Sequence, residues 1–160
     1  MLSLHVNELS EYSRSVARLI SKHRPAWLAH ATAIEIEGTS HKALEVRIPN
    51  ENPIGPIIIV TDRDEMTVWA SEYFHHHFSG DDGDFEHALY FIDNVMSEEF
   101  IIYWVSKDKN WVQSGFFDSV RFDLLKDVPV GDHHVVTRSW AGSRDREYDI
   151  DFSVFGKLWY

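Results

Sequence analysis

Apolar residues recur with a helical period in two segments of the chain. The first segment covers residues 8–24 and is followed by Pro25, and the second runs from Asp84, a residue suited to a helix N-cap, to Met96. The apolar positions are Leu9, Tyr12, Val16, Leu19 and Ile20 in the first, and Phe85, Ala88, Leu89, Ile92, Val95 and Met96 in the second. Spacings of three and four place these side chains on one face, so we predict two amphipathic helices.

Elsewhere the chain shows the alternation and the β-branched and aromatic content typical of strands. The stretches are residues 34–36, 44–48, 57–60, 66–78, 100–105, 111–117, 120–124, 134–140 and 148–154. The strand that contains Met66 is predicted to continue through Phe78 and to end in the acidic segment 79–84. We expect about eight strands in an α+β fold, a mostly antiparallel β-sheet with the two amphipathic helices packed on it.

Length and composition indicate one compact domain over residues 1–160. The chain has 160 residues, is 44% hydrophobic and shows no repeat or Pro/Gly/Ser-rich linker. It contains no cysteine, which excludes disulfides and thiolate metal sites. Because the N-terminus lacks the pattern of a signal peptide and the longest apolar runs fall far short of the ~20 residues of a membrane span, we expect a cytoplasmic protein without membrane contact.

The negative charge of the chain is concentrated in one stretch. Net charge is -11, and no Lys or Arg occurs from Asp64 to Ser106. The same stretch contains Asp64, Glu65, Glu72, Asp81, Asp82, Asp84, Glu86, Asp93, Glu98 and Glu99. A nucleic-acid ligand is disfavoured because phosphate binding requires clustered cations, whereas a basic protein partner complements this charge. The alternative is a solvated acidic surface that keeps the protein soluble.

The most unusual local feature is the triplet His75, His76 and His77. On a strand, His75 and His77 share one face and His76 faces the other way, with Phe74 and Phe78. Two such imidazoles with a carboxylate from the next loop approach the ligand set of zinc or ferrous iron, and the candidates for the third ligand are Asp81, His133 and His134. The triplet also fits a binding surface, or ordinary strand residues that bond to their neighbours.

A second candidate lies near the C-terminus, where charged residues surround Trp140 and Gly142. They are Arg138, Arg144, Asp145, Arg146 and Glu147. Arg and Trp are enriched at binding hot spots, which favours an interface. The alternative is a hairpin with solvent-facing ion pairs.

Sequence signatures of catalysis are absent. The chain has no GxSxG, HExxH, GxxxxGK[ST] or GxGxxG motif. The adjacent carboxylates Glu98 and Glu99 diverge on one element and do not form an acid–base pair. We therefore predict a protein that is not an enzyme and that needs no cofactor.

Three short motifs occur between residues 74 and 146. They are Phe74, His75, His77 and Phe78; Glu98 and Glu99; and Ser139, Trp140 and Gly142, followed by Asp145 and Arg146. Together they resemble small immunity proteins of bacterial polymorphic-toxin and contact-dependent growth inhibition systems, in a pattern of an aromatic residue before His-x-His-Phe, an acidic loop with glycine, a Glu pair that ends a helix before an apolar strand, and a late Ser-Trp-x-Gly followed by Asp-Arg. The resemblance covers residues 66–148, and the N-terminal helix and first strands have no counterpart in it.

The resemblance implies inhibitory binding of a cognate toxin domain encoded beside this protein. Many such toxins act on nucleic acid and present a basic cleft. An acidic inhibitor would associate rapidly with such a cleft. The predicted partner-binding residues are Glu72, Tyr73, Phe74, His75, His77, Asp81, Asp82, Asp84, Glu86 and Trp140. Two alternatives remain: a small metal-dependent enzyme using His75, His77 and Asp81 with a metal-bound water, and an assembly module whose exposed aromatic residues are buried in an oligomer.

Overall fold

A computed structural model describes residues 6–79 and 83–159. Over these residues nine strands form two antiparallel sheets, of five and four strands, with two long helices and several short ones. The α+β class, the antiparallel pairing and the two amphipathic helices are confirmed. The strands are divided between two sheets, whereas the sequence pattern predicts a single sheet. Among the described residues, no helix is both long and apolar enough to cross a membrane.

The first predicted helix, α1, covers Glu11–His23. Ser10 caps it by accepting a hydrogen bond from the backbone N–H of Ser13 at 3.1 Å, and Pro25 follows its end. Its buried face carries Ser13, Val16, Ala17 and Ile20. The apolar spacing therefore located this helix correctly, with ends a few residues inside the predicted ones.

The five-stranded sheet has the order β1-β2-β3-β4-β5. Its strands are β1 Ala31–Glu35, β2 Lys42–Ile48, β3 Ile57–Asp62, β4 Glu65–Ser71 and β5 Phe74–Ser79. Helix α1 packs on β2 and β3. The hydroxyls of Ser13 on α1 and Thr61 on β3 lie 2.7 Å apart, and Thr61 Oγ1 also accepts the backbone N–H of Leu44 at 2.9 Å. These buried polar contacts join the helix to the inner face of the sheet.

The prediction of one continuous strand from Met66 to Phe78 is wrong. Strand β4 ends at Ser71, a turn follows at Glu72 and Tyr73, and β5 begins at Phe74. The hydroxyl of Ser71 accepts the backbone N–H of Tyr73 at 3.1 Å and so stabilises the turn. Strand β5 therefore pairs with β4 and lies at the edge of the sheet.

The second long helix, α2, covers Asp84–Met96 and confirms the second helical pattern. Asp84 is its first residue, and its carboxylate accepts the hydroxyl of Ser79 at 2.6 Å. The apolar positions Phe85, Ala88, Leu89, Ile92 and Val95 are buried.

The four-stranded sheet has the order β7-β6-β8-β9. Its strands are β6 Phe100–Lys107, β7 Asn110–Asp118, β8 His133–Arg138 and β9 Arg146–Ile150. One face carries a core of Ile101, Tyr103, Val105, Phe117, Val135 and Ile150, packed with Phe122, Leu125 and Phe155. The opposite face carries the alternate residues of the same strands.

The predicted strand 120–124 and the end of the predicted strand 148–154 are helical, whereas residues 148–150 belong to β9. Residues Ser119–Leu124 form α3, and Phe152–Phe155 form α4. Asp118 accepts the backbone N–H of Arg121 at 2.8 Å, and Asp151 accepts that of Ser153 at 2.9 Å. Because these carboxylates cap the first turn, the apolar residues Phe122 and Phe155 reach the core from helices. Short 3-10 helices cover Val6–Glu8, Pro25–His30, Leu125–Asp127 and Gly156–Trp159.

By its internal contacts the chain divides into two compact units. Unit 1 consists of residues 1–51, 55–70 and 75–90, and unit 2 of residues 52–54, 71–74 and 91–160. Each unit is assembled from separate stretches of chain, so no linker in the sequence divides them. The single domain over residues 1–160 stays a prediction.

Candidate functional site

Three carboxylates of unit 1 act together on Tyr12. Burial and the negative charges of Asp84, Asp64 and Glu65 together raise the pKa of the Tyr12 phenol to about 12. Since such an effect falls with distance, the carboxylates in the turn between β3 and β4 and at the start of α2 lie close enough to Tyr12 to affect its pKa. We call Asp64, Glu65 and Asp84 the acidic patch.

Four carboxylates between residues 81 and 86 are predicted to bind the partner, and one of them is part of the acidic patch. Asp84 belongs to it, and Glu86 is exposed in the first turn of α2. Asp81 and Asp82 lie outside the described residues. Arg63, in the turn between β3 and β4, is an exposed cation next to the patch in sequence.

The histidines of β5 divide between the two faces of the strand, as predicted. The rings of His75 and His77 lie 4.8 Å apart, and the ring of His76 lies 4.8 Å from that of Phe78. His75 packs on Trp69 with ring centres 4.2 Å apart. His77 Nδ1 lies 2.5 Å from Glu65 Oε1, so this histidine contacts the acidic patch directly.

The surroundings of His75 and His76 oppose the protonation of these two rings. Partial burial lowers the pKa of His75 and of His76, and the nearby His77 lowers both further. These two rings therefore stay neutral to a lower pH than an isolated histidine.

Of the predicted metal ligands, His75 and His77 lie side by side on β5. No group of three or more His, Cys, Asp or Glu in the described part of the chain is arranged to hold a metal ion. His133 lies 2.7 Å from Asp132, and His134 lies 3.0 Å from Asp149, so both have local partners in unit 2. The other candidate for the third ligand, Asp81, lies outside the described residues.

Tyr73 in unit 2 forms an aromatic stack with Trp104. Their ring centres are 4.6 Å apart with an angle of 27° between the planes. The guanidinium of Arg138 lies 5.5 Å from the centre of the Trp104 ring, and Arg138 also bonds to Glu147 at 3.1 Å. Tyr73 remains 42% exposed, and the adjacent Glu72 is exposed as well.

Phe74 is a core residue, whereas the adjacent Tyr73 is exposed. Only 9% of its surface is exposed, and its ring packs against those of Phe91 and Phe116. It therefore offers little surface to a partner, contrary to the role expected from the sequence.

Trp140 lies in the loop between β8 and β9, so this segment is a hairpin. Its carbonyl oxygen accepts a hydrogen bond from Asn52 Nδ2 at 2.7 Å, and its side chain is half-buried. Glu98 accepts the backbone N–H of Ala141 at 2.8 Å and the hydroxyl of Ser143. Two of the sequence motifs, the Glu pair and the Ser-Trp-x-Gly loop, thus contact each other.

The sequence patterns did not identify Tyr12, Trp104 and Trp111 as residues of the protein surface. Tyr12 and Trp104 lie in apolar patterns that predict core positions, and the available signal was only that each ring carries a polar group. The grouping of Asp64 and Glu65 with Asp84 depends on the fold, because they lie far apart in the sequence.

Comparisons with known proteins identify no relative. No family model matches the chain, and searches of curated proteins and of solved structures found no match.

Proposed function

We propose that this protein is an immunity protein, which binds and neutralises a cognate bacterial toxin domain, in the cytoplasm, through its acidic surface. The observation that carries the proposal is the acidic patch, in which Asp64, Glu65 and Asp84 act on one phenol while no Lys or Arg occurs from Asp64 to Ser106. The resemblance of three motifs to immunity proteins supports the same function.

The patch has the features of a surface that attracts a basic partner. Asp64 and Glu65 are exposed, and Asp84 is half-buried at the start of a helix. Carboxylates on one surface produce a field that speeds the approach of a positively charged protein. The aromatic ring of Trp69, beside His75, supplies apolar contact area near Glu65 and His77 on the same sheet.

The decisive experiment is growth rescue. The chain is co-expressed with the toxic domain encoded beside its gene, and the two proteins are then co-purified. The proposal predicts survival of the cells and a stable complex. Death of the cells at full expression of the folded chain would overturn it.

Charge-reversed variants test the part played by the acidic patch. Asp64→Lys with Asp84→Lys should lower the association rate with the toxin domain at least tenfold at low salt and reduce the dependence of that rate on salt. Asp123→Lys with Asp127→Lys, at two exposed positions in unit 2, is the control for the same change in net charge. Equal rates for the variant of the acidic patch and the wild type would assign binding to another surface.

A further inference from the structure

The four-stranded sheet of unit 2 has a second face, opposite its core. The strand registers place Trp104 in a row with Ser114, Val136 and Glu147, and the next row contains Ser106, His134 and Asp149. Residues paired directly across neighbouring strands point to the same side of a sheet. This side is therefore the one that carries the Tyr73 stack on Trp104.

An irregularity in β7 adds Trp111 to this face. The register shifts between Val105 and Ser106, so that Val105 pairs with Gln113 and Ser106 with Trp111. Val112 packs against the core cluster, and Gln113 donates to the hydroxyl of Tyr103 there, so both point to the core. Trp111 consequently points to the opposite side and is 61% exposed.

The charges of this face are arranged around the aromatic rings. Arg138 lies over Trp104 and is paired with Glu147, which also lies 3.6 Å from His134. Glu72, next to Tyr73, and Asp149, 3.0 Å from His134, are exposed carboxylates. With three carboxylates and one guanidinium at these positions, the face has an excess of negative charge.

We infer that this face, formed by Tyr73, Trp104, Trp111, Arg138 and Glu147, binds an arginine-bearing segment of a protein partner. The inference rests on the proposed function and adds a second contact surface to it. Arginine stacks on Tyr and Trp rings and pairs with carboxylates, and the face already holds one such guanidinium, that of Arg138 over Trp104.

Other ligands fit the same face less well. The carboxylates repel the phosphates of nucleic acid. A neutral sugar would stack on the rings but would gain nothing from the excess negative charge. A partner with guanidinium groups uses both the rings and the carboxylates, which are the two features that distinguish this face.

The test uses the full chain and a short peptide that alternates glycine and arginine. Binding is followed through the indole N–H signals of Trp104 and Trp111 in NMR spectra, assigned with Trp104→Phe and Trp111→Phe. The inference predicts saturable shifts of both signals. Tyr73→Ala should weaken binding about fivefold to tenfold, and Tyr73→Phe, which keeps the stack, should bind like the wild type.

Tyr90→Ala is the matched control, because Tyr90 is 63% exposed on α2 and lies outside this sheet. A second control replaces every arginine of the peptide with citrulline, which keeps the shape and removes the charge. Equal shifts with the citrulline peptide, unchanged affinity in Tyr73→Ala, or shifts caused by a neutral disaccharide and not by the peptide would each overturn the inference. Growth rescue tests the proposed immunity function separately, so a failure of the arginine-binding inference can be told apart from a failure of the proposed function.

Discussion

The carboxylate of Glu98 accepts the backbone N–H of Ala141 at 2.8 Å, across a separation of 43 residues in the sequence. Its second oxygen accepts the hydroxyl of Ser143. Burial alone would raise the pKa of Glu98, but hydrogen bonds from Ser139, Ser143 and Ala141 outweigh it and lower the pKa. The Glu98 backbone has a φ of 60°, which ordinary residues rarely adopt, so this contact is maintained against a conformational cost.

We predict that Glu98→Gln destabilises the protein by about 1 kcal/mol, because an amide cannot accept both groups of hydrogen bonds as well as a carboxylate does. Urea unfolding measures the change. Glu99→Gln is the control, since the exposed Glu99 receives only a 3.5 Å contact from Ser119. Equal effects of the two substitutions would show that the loop does not depend on Glu98.

The lowered pKa of Glu98 predicts a specific dependence of stability on pH. The folded state favours the carboxylate, so its contribution is present above the ordinary value of 4.5 and is lost as pH falls through the folded pKa. The free energy of unfolding should therefore decrease more steeply in acid for the wild type than for Glu98→Gln. Parallel curves from neutral pH to pH about 3 would contradict this assignment.

Thr61→Val should destabilise unit 1 by about 1–3 kcal/mol. The substitution preserves shape but removes the oxygen that accepts the N–H of Leu44 and contacts the hydroxyl of Ser13, both buried. Chemical denaturation compares it with Thr32→Val on the exposed side of β1, which should be nearly neutral. A neutral Thr61→Val would indicate that water replaces the lost partner.

Gly131→Ala should destabilise unit 2, by about 1–3 kcal/mol. A Cβ at Gly131 would meet the carbonyl oxygen of Ile150 and would lie 2.5 Å from the backbone nitrogen of Asp151. Gly156→Ala is the control, because a Cβ there meets nothing within 4 Å. Thermal unfolding should separate the two variants by several degrees. Equal melting temperatures would mean that the loop containing Gly131 shifts without cost.

The buried phenol of Tyr103 should contribute to alkaline unfolding. Burial raises its pKa from 10.0 to about 12, although the hydrogen bond from Gln113 acts in the opposite direction. The folded state favours the neutral phenol, so this stability is present below pH 10 and is lost as pH rises through about 12. Tyr103→Phe removes the titrating group, and its stability should fall less between pH 9 and pH about 12. An unchanged alkaline profile would contradict the raised pKa.

The sequence by itself determined the elements whose pattern is local. The apolar spacing in α1 and α2 predicts their buried faces, because a helical period of 3.6 residues selects one side of the element whatever packs on it. The alternation of His75 and His77 with His76 was likewise predictable from the period of two in a strand.

Only the tertiary structure decided the elements and contacts that depend on distant residues. Val120, Phe122 and Leu124 alternate like a strand, yet the cap from Asp118 and packing in the core make the segment helical. The same holds for the division into two sheets, for Glu98 with Ala141, and for Tyr73 with Trp104. Hydrogen bonds and ring contacts between segments far apart in the sequence leave no periodic signal, because each depends on where the rest of the chain folds.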